Sequence, residues 1–256
     1  MQIIVHRGRA SPKDFGNTSN NFIWVHRSGF SGFETDISFT ADEKVIIYHP
    51  HSIRPDPSKM TLEELKRSPI QILELREFLD LFGTLPDIFC CLDIKQNSEE
   101  LVQKAIKAIV NSGLQKRIYL TSFQKRLFFL NIESDGKLLL KAREIFPECK
   151  TQLISTWPFN LSKIAQKYKP DAISFGWLQE PWWLRIISRI IFKTAARLTN
   201  LKKQIADAQK MGIKVWAGVF NSPEDMKYYM NLGVDGIFTD NPSLLKIVIE
   251  EEKISR

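Results

Sequence analysis

The chain has 256 residues, 43% of them hydrophobic, and carries a net charge of +7. That is enough to bury one large α/β core, while no apolar stretch is long enough to span a bilayer. No charged segment leads into an apolar run at the start, so no secretory signal is expected.

Taken in chain order, short apolar runs alternate with helical periodicity. Strands are expected over 2–6, 33–37, 45–49, 88–94, 117–121, 150–155, 171–175, 213–219 and 235–239. Helices are expected near 61–67, 70–82, 98–112, 124–132, 137–146, 161–168, 183–211, 223–232 and 242–252. Several strands are apolar throughout, as strands buried on both faces must be. This rhythm predicts an α/β fold, a (β/α)8 TIM barrel in a single domain over residues 1–256. Nine strands are one too many for that barrel. The interval from 37 to 45 is also too short for a helical crossover, which takes about a dozen residues. One of these strands is therefore expected to be irregular or to lie outside the barrel.

The three cysteines, Cys90, Cys91 and Cys149, are odd in number, and two are adjacent in "FCCLDI". They suit a buried strand in a reducing compartment better than a disulfide framework, and a cytoplasmic location is expected. The surplus of basic residues favours anionic partners.

A barrel of this kind keeps its chemistry at the C-terminal ends of its strands. Here those ends read His6-Arg7-Gly8, Glu34-Thr35-Asp36, His49-Pro50-His51, Asp93-Ile94-Lys95 and Thr239-Asp240. Glu34 and Asp36, two apart on a strand, point to one side about 6.6 Å apart. Facing carboxylates repel unless a cation or a proton separates them, and Asp93 would complete an oxygen-rich site suited to Mg2+ or Ca2+. The plainer alternative is a structural network with Arg7 and Lys95. His6 and His49 flank this cluster and titrate near neutrality, which suits a general acid and a general base. His26, in "WVHRSGF", reads as a surface residue on a helix, and His51 is ambiguous.

The segments "HRG" at 6–8, "GNT" at 16–18, "ETD" at 34–36, "TADE" at 40–43, His49, "LDIK" at 92–95, Ser122-Phe123 and "GVDGIFTDNP" at 233–242 together resemble the glycerophosphodiester phosphodiesterase family. These are barrel enzymes related to the phosphatidylinositol-specific phospholipases C. The resemblance implies an acid–base pair of His6 and His49. It implies one divalent metal on Glu34, Asp36 and Asp93, phosphate contacts from Arg7 and Lys95, and a substrate contact from Asn221. The chain departs from the family at Gly16, where a Glu is expected, and at Pro50, where an Asp is expected. It also has Asp93 in place of Glu, and Gly218 in place of Trp. Trp216, two residues earlier on the same strand face, is expected to fill part of the missing substrate wall.

Between Pro181 and Asp207 there is no acidic residue. Arg185, Arg189, Lys193 and Arg197 recur every four residues among Trp183 and isoleucines. Like charges at that spacing cost a helix roughly 0.2–0.5 kcal/mol per pair. A basic helix with tryptophans suits a membrane surface, so one reading has this stripe face lipid, peripherally on the inner face. The alternative is an ordinary outer helix that packs its isoleucines on the barrel. The leading expectation is a metal-dependent phosphodiesterase releasing glycerol 3-phosphate and an alcohol. A lysophospholipase D-like enzyme and a silent barrel binding anionic lipid or phosphate remain as alternatives. Nucleic acid is not an expected partner, since no recognised motif accompanies the charge.

Overall fold

The computed structural model describes residues 1–49, 56–67, 69, 71–123, 136–155, 158–178 and 181–254. Its strands are β1 (Gln2–Val5), β2 (Gly32–Phe39), β3 (Val45–Ile47), β4 (Leu73–Glu74), β5 (Phe89–Ile94), β6 (Ile118–Phe123), β7 (Lys150–Ser155), β8 (Ala172–Phe175), β9 (Lys214–Ala217) and β10 (Gly236–Thr239). The helices are α1 (Ser19–Arg27), α2 (Leu62–Lys66), α3 (Leu75–Gly83), α4 (Glu99–Asn111), α5 (Lys137–Ile145), α6 (Leu161–Tyr168), α7 (Trp182–Leu198), α8 (Leu201–Lys210), α9 (Pro223–Leu232) and α10 (Pro242–Ile254). Pro50, His51 and the helix expected over 124–132 lie outside the described residues.

Strands β1, β2 and β5 to β10 pair in parallel, and β1 bonds to both β10 and β2, which closes an eight-stranded barrel. The surplus strand is β3. It runs antiparallel to the end of β2, with Ile37 opposite Ile47, and bonds in turn to the two-residue β4. The hairpin turn is held by Thr40, whose hydroxyl donates to Asp42 at 2.7 Å and whose backbone N–H donates to the Lys44 carbonyl at 3.0 Å. The expected long helix over 183–211 is two helices. Asn200 takes a left-handed conformation and its side chain caps α8 through the Lys203 N–H. Helix α1 is the helix expected around His26, and it begins earlier, at Ser19. Thr18 caps it, and Phe22 and Val25 are its buried apolar residues.

Alternation along each strand sorts the core into two layers. Phe33, Ile37, Cys90 and Leu92 face the helices, where Phe33 stacks on Phe22 of α1 with ring centroids 4.6 Å apart. The other face points into the barrel. There Ile4, Cys91, Trp216 and Phe238 form a separate cluster with Phe89 and Tyr119. All three cysteines are free and buried.

Trp216 does not reach the substrate side, contrary to the sequence expectation. It is fully buried, stacks on Phe89 with centroids 5.3 Å apart, and its indole N–H donates to Gln2 at 2.9 Å. It does share the face of Gly218, but two residues toward the start of β9 set the ring about 6.6 Å deeper. It plugs the floor of the barrel instead of walling its mouth. Trp216→Ala is expected to cost about 3–5 kcal/mol. Trp216→Phe, which keeps a ring but loses the bond to Gln2, should cost about 1 kcal/mol. Urea denaturation of the two variants measures both.

Candidate active site

Above that apolar plug the interior turns polar. Glu34 and Asp36 of β2, and Asp93 with Lys95 at the end of β5, all occupy inward positions, and register sets Asp36 directly beside Asp93. The three carboxylates are buried and offer oxygen atoms within 4.8 Å of one another. The Lys95 ammonium lies 2.8 Å from Asp36 and also pairs with Asp93. Arg7 brings its Nε to 3.4 Å from Asp36, and Asn17 donates to the same carboxylate at 2.9 Å.

These contacts divide the acids. Burial alone would raise Asp36, but the charges of Lys95, His49 and Arg7 outweigh it and hold the carboxyl well below its usual range. Burial would lower Lys95, and Asp36, Asp93 and Glu34 hold it protonated instead. Glu34 goes the other way, pushed well up by burial and by the neighbouring Asp36. With all three acids ionised, one negative charge would exceed the two cations, and Glu34 avoids that excess by holding its proton. A further cation would take that proton's place, and an all-oxygen donor set fits a hard divalent ion.

His6 follows β1, in a turn where Arg7 and Gly8 both have positive φ, 53° and 65°. Its Nδ1–H donates to Asp240 at 2.7 Å, which leaves Nε2 facing inward, 3.7 Å from Glu34. Asp240 also accepts from Arg9 at 3.0 Å and from the Asn221 amide at 2.8 Å. Burial would raise Asp240, but the bond to His6 leads the interactions that keep it ionised. Burial lowers His6, with Asp240 opposing.

The sequence expectation sets Asn221 against substrate. Its amide is committed elsewhere: the N–H donates to Asp240, while the oxygen accepts from Thr239 at 3.0 Å and from the Asp240 N–H at 2.8 Å. It holds the carboxylate that holds His6. The orienting role of Asp240 escapes the sequence reading, although Asp240 is visible there as the end of the last strand.

His49 follows β3. The Tyr48 N–H bonds to the Asp36 carbonyl at 2.9 Å, which draws the hairpin back over the end of β2. Burial lowers His49 to about 3, with Asp36 opposing and Lys95, Arg7 and His6 reinforcing. The missing Glu at Gly16 also has a structural reason. Gly16 has φ of 74°, and a Cβ there would stand 2.6 Å from the Arg7 carbonyl.

A cavity of about 520 Å3 rises from this floor. His6, Glu34, Asp93, Lys95, Thr121, Gln152 and Ser174 form its polar end. Gln152 joins the last three, accepting from Thr121 at 3.0 Å and donating to Ser174 at 2.8 Å. This network has no signal in the motif-poor middle of the sequence. Gly218 lines the wall where the family has Trp, and a Cβ there would meet Phe238 at 2.6 Å. The upper wall is apolar: Trp177, Leu184, Ile187, Ile191 and Val219.

The expected basic stripe does not face outward as a unit. Arg189 pairs with Asp225 of α9 at 3.1 Å, and Lys193 lies over the Tyr228 ring at 4.7 Å. Both turn toward α9, whereas Arg185, Arg197 and Trp183 are exposed. The alternative expectation fails as well, because the isoleucines are not packed on the barrel.

A closed parallel barrel with buried acids, an imidazole–carboxylate pair and an ammonium at one mouth defines a barrel hydrolase site built for an anionic ester. The family model described as "Glycerophosphoryl diester phosphodiesterase family" matches residues 6–244, and the chain belongs to that family. A glycerophosphodiester phosphodiesterase of Caldanaerobacter subterraneus is 22% identical, over 95% of both chains. Among solved structures, a glycerophosphodiester phosphodiesterase from Parabacteroides distasonis aligns with a TM-score of 0.72 at 17% identity, covering 98% of each chain. A phosphodiesterase from Oleispira antarctica, in complex with the product sn-glycerol-3-phosphate, aligns with a TM-score of 0.70 at 19% identity over 98% of this chain and 97% of its own.

Three donors converge on Asp240, so an amide there must set its NH2 against one of them. Asp240→Asn is expected to lower kcat by a factor of about 10²–10⁴ with little change in KM, measured by steady-state kinetics. A second expectation concerns acid stability. Unfolded, His49 takes its proton near pH 6.5, whereas folded it resists until about 3. Between those values the unfolded state binds the extra proton, so stability falls as the pH drops through that window. In EDTA, wild type should lose more stability from pH 7 to pH 4.5 than His49→Gln does. Equal losses in urea denaturation would contradict a neutral, half-buried His49.

Proposed function

We propose that this protein is a divalent-metal-dependent phosphodiesterase that hydrolyses glycerophosphodiesters to glycerol 3-phosphate and an alcohol. The observation that carries this reading is the His6–Asp240 bond of 2.7 Å beside three buried carboxylates at the barrel mouth. Family membership supports the chemistry, and the product held by the Oleispira antarctica relative supports the glycerol side.

With Nδ1–H committed to Asp240, His6 presents the Nε2 lone pair as a base. It takes a proton from the attacking water, whose oxygen forms the new P–O bond as the P–O bond to the alcohol breaks, and Asp240 stabilises the imidazolium that forms. His49, beside the same acids, would protonate the leaving alkoxide oxygen once the negative charge of the bound phosphodiester raises its affinity for a proton. Lys95, which lines the cavity, meets the phosphoryl oxygens as negative charge builds on them, with Arg7 behind it against Asp36. Glu34, Asp36 and Asp93 would hold Mg2+ or Ca2+, which when bound supplies further positive charge to the phosphoryl group. Asn221 and Arg9 fix Asp240 and so the direction of the His6 ring.

The test is release of glycerol 3-phosphate from glycerophosphocholine with Mg2+, with Ca2+ and with EDTA. Release is expected with at least one ion and loss with EDTA. His6→Ala and His49→Ala should each lower kcat by a factor of about 10²–10⁴, with unchanged circular dichroism. A folded wild type that releases nothing in any ion would overturn the substrate assignment.

A further inference from the structure

Helix α7 is turned inside out. Trp182, Trp183, Ile186, Ile187, Ile190 and Ile191 recur as neighbouring pairs every four residues, which places them in one stripe. All six are exposed, Trp182 at 72% and Ile190 at 61%. The buried residues of the helix are only Phe192 and Ala196. Its cations Arg189 and Lys193 are the ones drawn inward, onto Asp225 and Tyr228 of α9. An apolar stripe of this size in water marks a surface that something covers.

Two further observations say what covers it. First, the stripe is continuous with the site. Leu184, Ile187 and Ile191 line the cavity that ends at His6 and Lys95, so an apolar path runs from the outer helix down to the reacting groups. Second, the exposed charge of α7 itself has one sign. Arg185 and Arg197 are exposed, no acidic residue occurs between Pro181 and Asp207, and the acid that meets α7 from α9, Asp225, is buried against Arg189. A second copy of this chain, with its net charge of +7, would set like charges against like. A lipid surface with anionic headgroups offers both apolar depth and opposite charge. Among the described residues no helix is long and apolar enough to cross a membrane, so the contact is one of lying on the surface.

We propose that α7 docks this protein on an anionic lipid surface and that the apolar arm of the cavity takes the acyl chain of a monoacyl glycerophosphodiester drawn from it. The substrate half rests on the phosphodiesterase reading above; the docking half does not. The chain would leave the glycerol end of the substrate and run along Ile187 and Ile191, while the phosphodiester sits at Lys95. The bond broken is the same P–O bond, water supplying the oxygen and the hydrogen, with a monoacylglycerol phosphate and the headgroup alcohol as products.

The experiment uses the full chain and a triple variant, Trp182→Ser with Trp183→Ser and Ile190→Ser, none of which lines the cavity. Co-sedimentation is measured with phosphatidylcholine vesicles and with vesicles of phosphatidylcholine and phosphatidylglycerol at about 3:1, a mixture that gives the surface a negative potential. Turnover is measured on soluble glycerophosphocholine and on lysophosphatidylcholine held in the mixed vesicles. Wild type should bind the anionic vesicles at least tenfold better than the zwitterionic ones. The variant should lose at least tenfold in vesicle binding and in lysolipid turnover while glycerophosphocholine turnover stays within twofold. Wild type that stays free of both vesicles, or a variant that binds as well as wild type, overturns the docking. So does a wild-type dimer in light scattering that the variant abolishes, since α7 would then join two copies. Docking without lysolipid turnover overturns the substrate half. Absence of glycerophosphocholine turnover in wild type strikes the phosphodiesterase reading, and vesicle binding still reads α7 on its own.

Discussion

Three carboxylates buried side by side would force one another apart, and the site depends on what keeps them together. Parallel register sets Asp36 beside Asp93, and alternation along β2 brings Glu34 to the same face. Lys95 bridges the two aspartates, and Arg7 reaches Asp36 from the neighbouring strand end. The balance is incomplete: Glu34 remains pushed well up by burial and by Asp36. A hard cation suits this all-oxygen donor set and would take the place of the proton that Glu34 holds. The apolar plug of Trp216, Phe89 and Tyr119 below the acids keeps water from relieving the repulsion from underneath.

A second layer of the design fixes direction. Asp240 collects donors from His6, Arg9 and Asn221, so it stays ionised and still. His6 is thereby confined to one tautomer, with its basic nitrogen on the inside. His49 reaches the same space from an element that is no part of the barrel. The hairpin of β2 and β3 folds back, and the Tyr48 bond to Asp36 places the following residue beside the acids. The strand that upset the count of eight is thus the one that delivers the second imidazole.

The cavity above the acids has a different chemistry on each wall. At Gly218 no Cβ fits, because Phe238 stands too close, so backbone alone forms that part of the wall. Trp177, Ile187 and Ile191 line the cavity as well. A polar floor suited to a phosphodiester therefore meets an apolar roof that extends to the outer surface of α7.

Much of this was legible in the sequence. Apolar strands ending in charged residues determined the barrel, because strands buried on both faces leave only their ends for polar groups. Spacing of two determined that Glu34 with Asp36, and Asp93 with Lys95, share a face. Local pattern could not determine depth or partners. Trp216 lies on the anticipated face but one layer too low, since periodicity reports direction and not height in the barrel. Asp240 meets His6 from the far end of the chain, with Asn221 behind it, a contact set only when β10 closes against β1. The stripe on α7 was visible as a repeat of four, yet which side faces out was decided by Asp225 and Tyr228 of α9, which draw two of its cations inward and leave the isoleucines in solvent.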